Sequence, residues 1–105
     1  MALMVKWTEP ASDRFDEIYD YLKGEAGKRT ALKIVGKITA HTKILAQNPH
    51  AGPIEELLTG RGKDHRYLVQ GNYKIIYRIE NETVWIITLF DCRQNPEKMP
   101  EEAEK

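Results

Sequence analysis

The stretch from Arg66 to Pro96, RYLVQGNYKIIYRIENETVWIITLFDCRQNP, constrains the fold more than any other, because a period of two runs through it. Tyr73, Ile75, Tyr77 and Ile79 fall on one face of an extended segment, and Lys74, Ile76, Arg78 and Glu80 fall on the other. Asn81-Glu82 interrupts this strand. A second strand follows from Thr83 to Phe90, where Val84, Ile86, Thr88 and Phe90 alternate with Trp85, Ile87 and Leu89. Upstream, Arg66 to Val69 reads as a shorter strand, joined through Gln70-Gly71-Asn72, whose residues accept the positive φ of a tight turn. The three strands form an antiparallel meander. The last strand is apolar on both faces, which predicts a central position with cover on each side, while Arg66 to Val69 sits near an edge.

The chain has 105 residues, enough for one domain that buries roughly 60 to 70% of its unfolded surface without metal or disulfide support. No apolar run approaches the roughly 20 residues needed to span a bilayer. The start, MALMVKW, lacks a signal-like apolar segment, and Cys92, the sole cysteine, has no internal partner for a disulfide. A cytoplasmic location is expected. Sixteen basic side chains balance sixteen acidic ones, so no global field draws the chain onto nucleic acid, and any such role falls to local patches.

Val5-Lys6-Trp7 reads as a short strand that joins the same sheet. Thr8 is placed to N-cap a helix whose first turn holds Glu9 and Pro10. Ala11, Phe15, Ile18, Tyr19 and Leu22 form its apolar stripe, and Gly24 to Gly27 ends it. A second amphipathic pattern runs from Lys28 to about Asn48 through Ala31, Ile34, Val35, Ile38 and Leu45, stopping at Asn48-Pro49. The two helices form a hairpin that packs on one face of the sheet. No acidic residue occurs between Ala26 and Ile54, whereas Lys28, Arg29, Lys33, Lys37 and Lys43 are basic. Two readings stand: mutual screening with the acidic first helix, or a basic face for a partner. The segment NPHAGPIEELLTGRGK reads as a loop or edge segment carrying Ile54, Leu57 and Leu58. Residues 1–96 form the domain, and 97–105 read as a polar acidic tail.

The histidines His41, His50 and His65 lack the close spacing of metal ligands, and Gly60-Arg61-Gly62-Lys63 lacks the spacing of a phosphate loop. Neither a metal nor a cofactor is indicated. Cys92 lies beside Arg93, yet nothing in the sequence supplies a base to activate it. The basic set Arg61, Lys63, His65, Arg66, Lys74 and Arg78 gathers on the meander. Such cations can clamp phosphates, as metal-free RNA cleavage requires alongside a base for the 2′-hydroxyl, and they serve equally as solvated edge charges.

The order of strand, two helices and meander, with VKWTEPA at the start, NPHAG after the second helix, then RYLVQGNYKIIYRIE and FDCRQNP, resembles the RelE/ParE superfamily of bacterial toxins over nearly the whole chain. The resemblance implies an α+β fold and the toxin of a type II toxin–antitoxin system, a class that includes plasmid stabilisation proteins, held inactive by a cognate antitoxin. RelE-type members cleave messenger RNA on the ribosome. ParE-type members poison DNA gyrase. Matched to the family pattern, Lys74 and Arg93 take the basic positions that act catalytically in a ribonuclease, and Arg66 and Arg78 are candidates for target contact. Where RelE-type toxins carry a C-terminal tyrosine, this chain has Met99, and their lysine-rich strand is reduced to Arg66. The resemblance therefore favours a ParE-like, gyrase-directed toxin over an mRNA endoribonuclease or a non-toxic binding module of the same fold.

Overall fold

The computed structural model describes residues 2–55 and 65–93. Leu57, Leu58, Arg61, Lys63, Met99 and the expected tail lie outside the described residues. Strand β1 (Met4–Trp7) leads into helix α1 (Glu9–Ala26), helix α2 (Lys28–Lys43) and a single 3-10 turn (Ile44–Ala46), followed by strands β2 (His65–Gln70), β3 (Tyr73–Glu80) and β4 (Thr83–Asp91). The strands form one sheet in the order β1-β4-β3-β2, so the expected meander is present with β4 inside and β2 at an edge. β1 completes the sheet by pairing in parallel with β4, Val5 opposite Val84 and Trp7 opposite Ile86.

Thr8 performs two tasks at the junction of β1 and α1. Its hydroxyl accepts the Ala11 N–H at 3.2 Å, the N-cap bond expected from sequence, and donates to the Ile87 carbonyl at 3.1 Å. Gly27 separates the helices at φ 90°, a backbone region that a side chain strains, and its N–H closes α1 on the Lys23 carbonyl. α2 is shorter than the periodicity predicts. It gives way after Lys43 to the 3-10 turn, which still delivers Leu45 to the interior.

One face of the sheet receives the helices. Ala11 and Ile18 of α1, Val35 and Ile38 of α2, and Leu45 pack against Leu68, Tyr73, Ile75, Tyr77, Val84, Ile86 and Leu89, with Phe15 and Leu22 at the margin. Trp7 meets Phe15 edge to face, with ring centroids 5.4 Å apart. The opposite face carries a second cluster of Ile76, Ile87 and Phe90, flanked by Tyr67 and Trp85.

The strict alternation expected for β4 breaks midway. Ile76 pairs with Thr88 while the next residue, Tyr77, pairs with Ile86, so Ile87 is an extra residue bulged out of the ladder. The bulge re-phases the strand. Val84 and Ile86 face the helices before it and Leu89 faces them after it, whereas Trp85, Ile87 and Phe90 belong to the other face. Because Ile87 is out of register, its carbonyl is available to the Thr8 hydroxyl. The β3–β4 turn holds Asn81 at φ 50° and Glu82 at φ 61°, the two positive values of a type I′ hairpin.

Ile38 is fully buried between the helical hairpin and the sheet. Ile38→Ala is expected to cost about 2 to 5 kcal/mol in chemical denaturation, the range for deleting a core aliphatic group. A loss below about 0.5 kcal/mol would contradict the packing described.

Candidate functional site

The cations singled out in the sequence divide between the two faces of the sheet. Arg66 pairs with Tyr77 across β2 and β3, and His65 pairs with Arg78; since neighbours along a strand point oppositely, Arg66 lies with the helices and Arg78 away from them. Lys74 shares the outer face with Ile76 and Arg78, as the period of two requires.

On the helix side, a network holds residues 49–52 against the sheet. The Tyr77 hydroxyl donates to the Pro49 carbonyl at 2.8 Å and accepts the Gly52 N–H at 2.9 Å. Burial raises its pKa above the usual phenol value. Arg66 donates to the Gly52 carbonyl at 2.7 Å. Position 52 must be glycine, because an added Cβ would stand 2.1 Å from the Tyr67 carbonyl oxygen. Beyond it, Tyr67 N–H donates to Pro53 and Glu55 N–H donates to His65, so residues 53–55 run along the β2 edge, with Ile54 bridged to Arg66.

This path carries Glu55 to the outer face, where its carboxylate, 4% exposed as a residue, forms an ion pair with the Lys74 ammonium. The same ammonium lies 4.1 Å from the centre of the Tyr67 ring and 5.8 Å from that of Phe90. Lys74 is therefore held between a buried carboxylate and two aromatic rings. Arg78 is ion-paired with Glu80 on its own strand, and burial lowers its pKa from the ordinary guanidinium value without discharging it.

Arg93 belongs to a different place. Its Nε donates to both Asp91 carboxylate oxygens at 2.9 and 3.0 Å, and its backbone N–H also donates to that carboxylate at 2.8 Å. The Arg93 hydrogen bond holds the Asp91 carboxyl below its ordinary value, and Asp91 in turn raises the guanidinium pKa. Arg93 borders a cleft of about 350 Å³ with Tyr21, Leu22, Ile34, Lys37 and the Gly71 turn. A second cleft of about 310 Å³, on the other side of Tyr21 and Tyr73, is walled by Arg14, Glu17 and Asp91. Tyr21 is 59% exposed, and the buried Tyr73 hydroxyl has its pKa raised by desolvation and then by Asp91.

Lys74 and Arg93 thus do not converge on one spot: one faces away from the helices and the other borders a cleft against them. Cys92 has its thiol pKa raised by burial, with Lys74 opposing, which disfavours the nucleophilic thiolate. Among the described residues no cluster of His, Cys, Asp or Glu is arranged to hold a metal. The clefts offer aromatic faces, backbone groups and charges of both signs, a lining suited to binding peptide. Sequence reasoning did not find Glu55 or Asp91 as partners of these cations, nor the Tyr77 hydroxyl as the group that holds residues 49–52. Asp91 had a local signal, two residues before Arg93; Glu55, remote from Lys74 along the chain, had none.

Residues 5–96 match the family model of the ParE toxin of the type II toxin–antitoxin system, parDE. A comparison with curated proteins finds no match. Among solved structures, the fold is similar to a chain of the chromosomal ParDE toxin–antitoxin system from P. aeruginosa, with a TM-score of 0.73 and 24% identity over 86% of this chain and 96% of that one. It is also similar to a chain of the toxin–antitoxin complex RelBE2 from Mycobacterium tuberculosis, with a TM-score of 0.61 and 19% identity over 87% of this chain and 92% of that one.

Removing one partner of a buried ion pair strands the other. Lys74→Ala is expected to destabilise the protein by about 3 kcal/mol, and Glu55→Gln with Lys74→Met to recover more than half of that loss. A double-variant loss equal to the sum of the Glu55→Gln and Lys74→Met losses, read by denaturant titration, would show that the pair is not coupled.

Proposed function

The chain belongs to the ParE toxin family of type II toxin–antitoxin systems, and we propose that it acts on DNA gyrase by binding it, under the control of a cognate antitoxin. The family match favours gyrase over the ribosome. The single observation that carries the reading against RNA cleavage is that each candidate cation has a partner within the chain: Arg66 the Gly52 carbonyl, Lys74 Glu55, Arg78 Glu80 and Arg93 Asp91.

Cleavage of RNA without a metal needs a base at the 2′-hydroxyl and cations free to meet the phosphate as charge develops. Cations engaged by carboxylates are poorly placed for that task. They are well placed for a protein interface, where partly desolvated charge pairs set orientation and specificity. Arg93, the most exposed of these cations at 60% of its side chain, is the candidate for target contact at the cleft, and Lys74 is an internal support.

The antitoxin is proposed to lie as a helical or extended segment against the hairpin or a sheet edge, covering apolar surface that the free toxin exposes. No helix of the described residues is long and apolar enough to cross a membrane. A cytoplasmic location fits both this and a gyrase target.

Purified chain incubated with gyrase and supercoiled DNA is expected to accumulate cleaved DNA complexes, while translating ribosomes given the same chain keep their messenger intact. Arg93→Ala is expected to weaken the gyrase effect without changing the melting temperature appreciably. Cut messenger with no gyrase complex would overturn the reading, and there Lys74→Ala or Arg93→Ala would slow cleavage on the order of 100-fold, the scale of losing one transition-state donor. Silence in both assays with folded protein would leave a non-toxic binding module.

A further inference from the structure

We propose that the outward face of α2 binds the phosphate backbone of duplex DNA, a contact separate from the one assigned to Arg93. Ala31, Val35, Ile38 and Thr42 turn the buried side of α2 toward the interior. The 3.6-residue period puts Arg29, Lys33, Gly36 and Ala40 along the middle of the opposite side, with Lys37 and Lys43 on its two flanks, and all of these residues are exposed. From Arg29 to Lys43 the face runs about 21 Å at a rise of 1.5 Å per residue, a length that spans about six phosphates of one DNA strand. Gly36 and Ala40 leave a low floor between the cations, and a Cβ added at Gly36 would meet nothing within 4 Å. A phosphate backbone can therefore come close to the helix while the long basic side chains reach it from both sides.

The charge on this face is unanswered within the described chain. Residues 27–53 contain no Asp or Glu. The ion pairs among the described residues join Arg14 to Glu17, Lys74 to Glu55, Arg78 to Glu80 and Arg93 to Asp91, and none involves α2. The acidic side of α1 thus does not screen α2 by contact, and its effect through solvent fades over about 10 Å at 0.1 M salt. The sheet cations are held by partners, whereas those of α2 can release their counterions to a polyanion. A protein partner is a poorer fit. Protein interfaces are depleted in lysine and centre on buried aromatic anchors, while the middle of this face offers Gly36 and Ala40, with Leu32 on its shoulder and Ile44 past the end of α2. Lys37 also lines the cleft that Arg93 borders. The role of the basic face, though not its binding, rests on the gyrase reading above: two adjoining surfaces would meet the enzyme and the DNA that the enzyme holds.

The experiment titrates the full chain against two DNA duplexes of unrelated sequence, about 20 base pairs each, by fluorescence anisotropy between about 50 and 200 mM salt. The variants are Lys33→Glu with Lys37→Glu, and a charge-matched control, Lys6→Glu with Lys23→Glu, that alters cations on other elements. Wild type is expected to bind both duplexes equally within about twofold, with Kd on the order of 10⁻⁵ M at the lowest salt and log K falling against log salt with a slope of about −3.6, the value for four phosphate contacts. Lys33→Glu with Lys37→Glu is expected to lose roughly tenfold or more and to flatten the slope by about 2 at unchanged melting temperature, with the control within about threefold of wild type. The same variant is expected to keep its affinity for gyrase free of DNA and to need roughly tenfold more protein to accumulate cleaved DNA complexes. No duplex binding by wild type, or a loss no greater in the α2 variant than in the control, overturns the proposal and leaves the gyrase reading intact. Weaker binding of the α2 variant to DNA-free gyrase would assign the face to a protein contact and equally overturn it. Duplex binding through α2 with gyrase unaffected by wild type would support the DNA-binding face and remove the gyrase reading instead.

Discussion

The hydroxyl of Tyr77 governs how the outer parts of this fold meet the sheet. Its ring is among the largest fully buried side chains, so the hydroxyl at its tip needs hydrogen-bond partners or carries a desolvation cost of about 1 to 3 kcal/mol. Pro49 and Gly52 supply them. Fixing those two backbone groups sets the course of the next residues along the β2 edge. That course brings Arg66 to the Gly52 carbonyl and Glu55 to Lys74. The Lys74–Glu55 pair on the outer face of the sheet therefore depends on one phenol on the inner face.

The second constraint is the two-sided apolarity of β4. A central strand with helices on one face and a second apolar cluster on the other can place large side chains on both sides, and the bulge at Ile87 decides which go where. The Thr8 hydroxyl meets the Ile87 carbonyl and caps α1 at once. A local irregularity in the sheet is thereby coupled to the start of the helix that covers it.

These features explain how much of the molecule was legible in the sequence. The period of two identified β3 without error, because Lys74, Arg78 and Glu80 mark the outer face unambiguously. In β4 every residue from Val84 to Phe90 except Thr88 is apolar, so a one-residue shift leaves no trace in the pattern, and Leu89 and Phe90 were assigned to the wrong sides. Thr8 and Gly27 act through local geometry and were readable. The close of α2 in a 3-10 turn was not, since Leu45 continues the apolar stripe in either geometry. The candidate cations could be picked out as residues, but a cation's role depends on what faces it. Lys74 meets Glu55 only through the path of residues 49–55, which no periodicity encodes. A basic residue in a strand reads the same whether it awaits a phosphate or is already paired.

The central claim is that the Tyr77 hydroxyl locks residues 49–55 onto the sheet and so commits the neighbouring cations to structural partners. Native-state hydrogen exchange of wild type and Tyr77→Phe, read at the backbone amides of Glu55 and Tyr67, tests it most directly. The amides of Glu55 and Tyr67 donate to His65 and Pro53 respectively. Loss of the hydroxyl is predicted to speed exchange at both by roughly tenfold or more through local opening, while the amides of Ile75 and Leu89 keep their protection relative to global unfolding. Unchanged exchange at Glu55 and Tyr67 would show that the segment is held by something else, and the assignment of Arg66 and Lys74 to structural roles would lose its foundation.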